Sequence, residues 1–237
     1  MEHRTLTTRP FVPAPFSKPR WNSTTVVVLD LDGVIVDSFD VMREAFEIAY
    51  REVVGVGDAP FEEYHRHQGR YFPDIMRIMN LPGAMEEPFV RESHRLRGEV
   101  RVYDGVAELL GALRGRGFGL AVATGKSGPR ARDLLDHLGL LHWFHHVVGS
   151  DEIARPKPAP DIVERALLLL ETPPDQALMV GDAANDLRSA QGAGVRSAAA
   201  LWGTPDEADL LRAGPDIVLR RPADLLAVLP ERSARAR

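Results

Sequence analysis

The chain has 237 residues, of which 44% are hydrophobic and 27% charged, a profile that excludes a disordered chain, a collagen or a membrane bundle. Basic residues number 29 against 34 acidic, so no positive excess is offered to a nucleic-acid backbone, and no apolar run approaches the ~18 residues of a membrane span. Cysteine is absent, which removes disulfides, thiolate metal sites and a cysteine nucleophile.

Residues 1–24 read as a flexible, Pro-rich lead-in, because Pro10, Pro13, Pro15 and Pro19 lack the donor that strands and helices need. The segment has no apolar stretch of the secretory type, so a cytoplasmic location is expected. An apolar run at 26–29 opens a series that continues at 118–123, 147–148, 177–180, 197–201 and 217–219. These runs are continuous rather than alternating, the mark of parallel strands buried on both faces. Helical patterns separate the later runs, at 128–138, 161–170, 184–191 and 207–211. Strand–helix alternation predicts an α/β fold with a doubly wound parallel sheet.

The interval after the first run is too long for one crossover. It reads as helices over 39–54, 61–68, 74–79 and 86–98, with Phe39, Met42, Ala45, Phe46, Ala49, Tyr50 and Val53 at helical spacing. The expected organisation is a core over 25–37 and 100–230, an inserted helical domain over 38–99, and a tail over 231–237. The methionines of the insertion, Met42, Met76, Met79 and Met85, are expected to pack it. His65 and His67 are expected on a solvated helix face. His142, His145 and His146 fall in a turn before a strand, where zinc is the weaker reading and a partly exposed turn the stronger.

Asp30 and Asp32 follow the first strand run at i and i+2, so both side chains project the same way from its tip. Gly33 permits the sharp turn that follows. Asp182 ends a second run and Asp186 lies four residues on; Thr124, Gly125 and Lys126 end a third. Lys157 stands in the proline-framed loop 155–161 and is one of only three lysines, with Lys18 and Lys126. If the strands are parallel neighbours, these groups meet. Any one aspartate at a strand end is most simply a helix cap. The set is harder to explain that way, because clustered carboxylates repel unless protons or a cation compensate them. An oxygen-only cluster suits Mg²⁺, and Thr124 with Lys157 would supply a hydroxyl and a fixed charge for phosphate oxygens. Nucleophile, second acid, metal and cation together describe phosphoryl transfer.

The segment Asp30-Leu31-Asp32-Gly33-Val34-Ile35-Val36-Asp37-Ser38 resembles the first signature of the haloacid dehalogenase superfamily. Thr124 resembles its second, Lys157 its third, and Gly181-Asp182-Ala183-Ala184-Asn185-Asp186 its fourth, in the family's order. The inserted helices resemble the cap of its phosphoglycolate phosphatase-like and phosphoglucomutase-like branches. More narrowly, Gly69-Arg70-Tyr71-Phe72-Pro73-Asp74-Ile75-Met76 and Thr124-Gly125-Lys126-Ser127-Gly128-Pro129-Arg130 resemble phosphatase-like proteins of 3-amino-5-hydroxybenzoate (ansamycin-type antibiotic) biosynthesis.

The resemblance implies that Asp30 is the nucleophile and Asp32 the acid–base. It implies that Asp30, Asp182 and the Asp32 carbonyl hold Mg²⁺, and that Thr124, Gly125 and Lys157 bind phosphate. Asp186, Gly33 and Lys126 are supporting residues, and Arg70 is a specificity candidate in the cap. The expected substrate is a small phosphoester, with no nucleic-acid or membrane partner and an open oligomeric state. Asp32 argues against a dehalogenase, which needs no leaving-group proton. A sugar-phosphate mutase and a non-catalytic binding protein on the same fold stay open as alternatives.

Overall fold

A computed structural model describes residues 21–204 and 206–231; most of the Pro-rich lead-in (1–20) and the tail at 232–237 lie outside the described residues. The described chain opens with a 3₁₀ turn, Trp21–Ser23, in which Trp21 lies against the core, and Thr24 after it is buried. Strand β1 (Val26–Leu29) follows, then a tight turn into β2 (Val36–Asp37). Four helices come next: α1 (Phe39–Val53), α2 (Phe61–Arg66), α3 (Phe72–Ile78) and α4 (Glu86–Arg95). Strand β3 (Arg101–Val102) returns antiparallel to β2, so the inserted helices hang on a two-stranded stem. The remainder alternates: α5 (Val106–Gly115), β4 (Gly119–Thr124), α6 (Gly128–His137), β5 (His146–Gly149), α7 (Asp161–Leu169), β6 (Ala177–Gly181), α8 (Ala184–Gly192), β7 (Arg196–Ala200), α9 (Glu207–Arg212), β8 (Ile217–Leu219) and α10 (Asp224–Val228).

The main sheet has six strands in the order β5-β4-β1-β6-β7-β8, all parallel. Alternate residues of each central strand enter opposite layers. Val27, Leu29, Leu120, Val122, Leu178 and Val180 join one apolar cluster, while Val26, Val28, Ala121, Ala123, Ala177 and Met179 join the other. Both faces are covered, which is why these strands spell unbroken apolar runs. Register then sets the site. Leu29 pairs with Val122 on one side and Val180 on the other, so the chain leaves β1, β4 and β6 at one edge of the sheet, where α/β folds bind ligands.

The four inserted helices own a separate core. Met42, Phe46, Phe61, Tyr64, Phe72, Ile75, Met76, Met85 and Phe89 are buried together, with Met79 packed against them. Phe72 and Phe89 stack at 4.1 Å between centroids and Phe46 stacks on Tyr64 at 4.6 Å. His65 departs from the expected solvated face. Its ring meets Phe39 edge-on at 4.7 Å, and both ring nitrogens are buried without a hydrogen-bond partner. Burial holds it below its ordinary pKa, which keeps it neutral and compatible with this apolar contact. The His142–His146 stretch forms a 3₁₀ turn, Leu141–Trp143, leading into β5; the Leu120 amide donates to His145 Nδ1 at 3.0 Å.

Candidate active site

Asp30 is the first residue beyond β1, and its amide continues the ladder by donating to the Val180 carbonyl at 2.9 Å. Its side chain is 2% exposed. Asp32 sits two residues on, where the chain reverses. Gly33 makes that reversal with φ +85°, and a Cβ there would lie 2.0 Å from Asp182 Oδ2. Only glycine provides both the left-handed backbone and the space for Asp182.

Lys157 is fully buried and commits all three ammonium protons: to Asp186 Oδ1 at 2.6 Å, to the Ala123 carbonyl at 2.7 Å and to Asp30 Oδ1 at 2.8 Å. Burial opposes its charge, but Asp186 and Asp30 outweigh that and hold the ammonium above its usual pKa. Burial pushes the Asp30 carboxyl up to about 7, with Lys157 opposing and Asp186 and Asp32 adding. Burial also raises Asp182 well above the carboxylate range, reinforced by repulsion from Asp186 and Asp30. One ammonium thus faces more buried acid than it neutralises.

Asp32 is held by different partners. Ser38 at the start of α1 donates to its Oδ1 at 2.6 Å, and Lys126 Nζ lies 3.3 Å from its Oδ2. Burial lowers the Lys126 pKa, with Asp32 opposing. Thr124 Oγ1 accepts from the Lys126 amide at 3.1 Å, and the Thr124 carbonyl accepts from Ser150 Oγ at 3.1 Å. Ser38 stands in the quoted first motif without an assigned role. Its neighbourhood with Asp32 arises only because the Gly33 turn folds residue 38 back.

The loop between α2 and α3 closes the site from the cap. Gly125 packs so tightly beneath it that a Cβ would lie 2.7 Å from the carbonyl oxygens of Gly69 and Arg70. Gln68 Nε2 makes a long 3.5 Å contact with Asp182 Oδ2, and Asn185 Nδ2 donates to the Gln68 carbonyl at 3.3 Å. Gln68 carried no sequence signal. Arg70 lines the resulting cavity with Asp30, Asp32, Thr124, Gly125, Lys126 and Arg130. The cavity holds about 40 Å³, room for a few waters at ~10–15 Å³ each, and the contact of Gly125 with Gly69 and Arg70 seats the cap close over the acids.

The donor set fits a hard divalent cation. Oxygens of Asp30, Asp182 and Asp186 lie within 4.8 Å of one another. Asp182 Oδ1 and Gln68 Oε1 are buried acceptors without a donor, and a cation removes both the repulsion and the orphaned acceptors. Asp186 therefore joins Asp30 and Asp182 in this cluster while also anchoring Lys157. The Asp32 side chain stands apart from it.

The haloacid dehalogenase-like hydrolase family matches residues 27–200. The chain is 31% identical over 214 residues to a phosphoglycolate phosphatase of Aquifex aeolicus, covering 86% of this chain and 96% of that one. It is 28% identical over 221 residues to the pyrophosphatase PpaX of Bacillus pumilus, covering 88% and 98%. Among solved structures, CbbY from Rhodobacter sphaeroides in complex with phosphate superposes with a TM-score of 0.75 at 27% identity, covering 87% and 99%.

Proposed function

The chain belongs to the haloacid dehalogenase-like hydrolase family, and on that premise we propose that it hydrolyses a small phosphomonoester through an aspartyl-phosphate on Asp30. The observation that carries this reading is the Asp30–Lys157–Asp186 contact beside Asp182 at the carboxyl edge of the sheet. Asp30 attacks phosphorus and the bond to the leaving oxygen breaks. Asp32, oriented by Ser38 and Lys126, gives that oxygen a proton. The Asp32 carboxylate then takes a proton from water as the water attacks the phosphorus on Asp30, releasing phosphate and the free carboxylate. The Thr124 hydroxyl accepts from the Lys126 amide, which leaves its own proton for a phosphoryl oxygen; the Gly125 amide lies beside it. Lys157 and Asp186 hold Asp30 in place.

The cofactor in this reading is Mg²⁺, held by Asp30 and Asp182 side chains and the Asp32 carbonyl, with Asp186 beside them. When bound it supplies neutralisation of phosphoryl charge. The substrates considered are phosphoglycolate, a sugar phosphate or an aminosugar phosphate. A place in aminohydroxybenzoate formation is supported by the two segments that carry that narrower resemblance, which abut where Gly125 meets Gly69 and Arg70. The test is phosphate release from these esters and from pyrophosphate, with Mg²⁺ and then with excess chelator. Activity that persists unchanged in chelator contradicts the Mg²⁺ assignment. Conversion of a sugar phosphate to its isomer without phosphate release replaces hydrolase by mutase.

A further inference from the structure

Arg130 belongs to the core, in the first turn of α6, yet its side chain reaches the cap. The guanidinium donates to Ser93 Oγ on α4 at 2.6 Å, and its Cζ lies 5.4 Å from the Phe89 ring centroid. Among the described residues no carboxylate pairs with it. The other cations near the acids are engaged: Lys157 bonds Asp30 and Asp186, and Lys126 pairs with Asp32. Arg70 resembles Arg130 in this respect. It also lacks a carboxylate partner among the described residues, its Nε is buried without an acceptor, and it lines the same cavity from the cap side. Both side chains are half-buried, and a partly desolvated charge without a paired carboxylate is costly; here two guanidiniums from two domains share that condition.

Arg130 also stands where two spaces meet. The inner cavity contains Asp30 and Asp32. An adjoining cleft of about 280 Å³ lies between α1, α4 and α6, with Ser38, Ser93, Arg97 and Asp133 in its wall. Met42, Lys126 and Arg130 belong to both walls. The inner cavity, at about 40 Å³, is far smaller than the outer cleft, which has the room for a leaving group.

We propose that Arg130 is a specificity-determining residue whose guanidinium binds a second anionic group on the substrate, a carboxylate or a second phosphoryl. The leaving portion of the substrate occupies the outer cleft, and the anionic group is the counter-charge that Arg130 lacks. This assignment rests on the phosphomonoesterase reading. Arg130 touches the substrate and takes no part in the transfer of the phosphoryl group.

Two matched pairs of esters test it: 3-phosphoglycerate against glycerol 3-phosphate, and fructose 1,6-bisphosphate against fructose 6-phosphate. The first pair reads a carboxylate, the second a phosphoryl. The wild-type enzyme should prefer the more anionic member of at least one pair by roughly tenfold or more in kcat/KM, mostly through KM. Arg130→Met should reduce that preference at least fivefold. Arg130→Gln, which keeps a donor for Ser93, should do the same, and Arg130→Lys should retain an intermediate preference. Circular dichroism checks the fold, and the Gln and Lys variants decide the matter if the Met variant is unstable. Turnover of the less anionic esters with no preference for their partners in the wild type overturns the proposal. Equal losses on both members of each pair overturn it too, and make Arg130 a strut for cap closure. Phosphate release from none of the four esters, nor from any ester of the wider screen, defeats the phosphatase reading itself.

Discussion

Replacing Asp30 with asparagine removes the proposed nucleophile, and the surroundings of Asp30 add a consequence for stability. Burial is the largest influence on this carboxyl and pushes it from 3.8 up to about 7. A carboxyl whose pKa is raised by folding binds its proton more tightly in the folded chain, so stability falls as pH rises from 3.8 through about 7. The part of this window above pH 5 spans about two units, or roughly 3 kcal/mol. Asparagine has no proton to lose and escapes the loss. In excess chelator, urea unfolding should therefore favour Asp30→Asn over the wild type by a margin that widens by roughly 3 kcal/mol between pH 5 and pH 8. Saturating Mg²⁺ should shift the balance back toward the wild type, because only the wild type offers the cation an Asp30 carboxylate. Phosphate release by the variant should fall below detection. A margin independent of pH, or one that widens toward pH 5, refutes the account of Asp30 as an under-compensated buried acid.

Lys157→Met strips the ammonium from Asp30 and Asp186, and breaking a buried pair costs about 3–5 kcal/mol; an unchanged urea midpoint contradicts this. Gly33→Ala places a methyl against Asp182 Oδ2 at a left-handed backbone position, so Mg²⁺ affinity by calorimetry should drop roughly tenfold or more. Binding that survives intact removes Asp182 from the metal site. Arg70→Ala should lower kcat/KM for the physiological ester more than for p-nitrophenyl phosphate, which offers its guanidinium no partner; equal losses point to cap closure instead.

The parallel sheet was legible because burial on both faces writes uninterrupted apolar runs. The cap helices were legible because Phe39, Met42, Ala45, Phe46 and Ala49 keep helical spacing. Helix α5 carries the same kind of stripe in Val106, Leu109, Leu110 and Leu113, yet it was not among the expected helices; Gly111 and Gly115 weaken its propensity. The two-residue strands β2 and β3 are too short to show a period. Asp30, Asp32, Thr124 and Asp182 could be placed at strand tips from local pattern alone.

What those residues touch was decided elsewhere. Lys157 reaches Asp30 across 127 positions and Asp186 across 29. Gln68 meets Asp182 across 114, and Arg130 crosses from core to cap to reach Ser93. His65, polar in spelling, turns inward onto Phe39. Periodicity and strand-end position are properties of neighbours along the chain, so the sequence alone carries them. Which buried charge faces which counter-charge depends on strand order and on how the cap seats over the sheet edge, and these follow from packing between segments that no local spacing encodes.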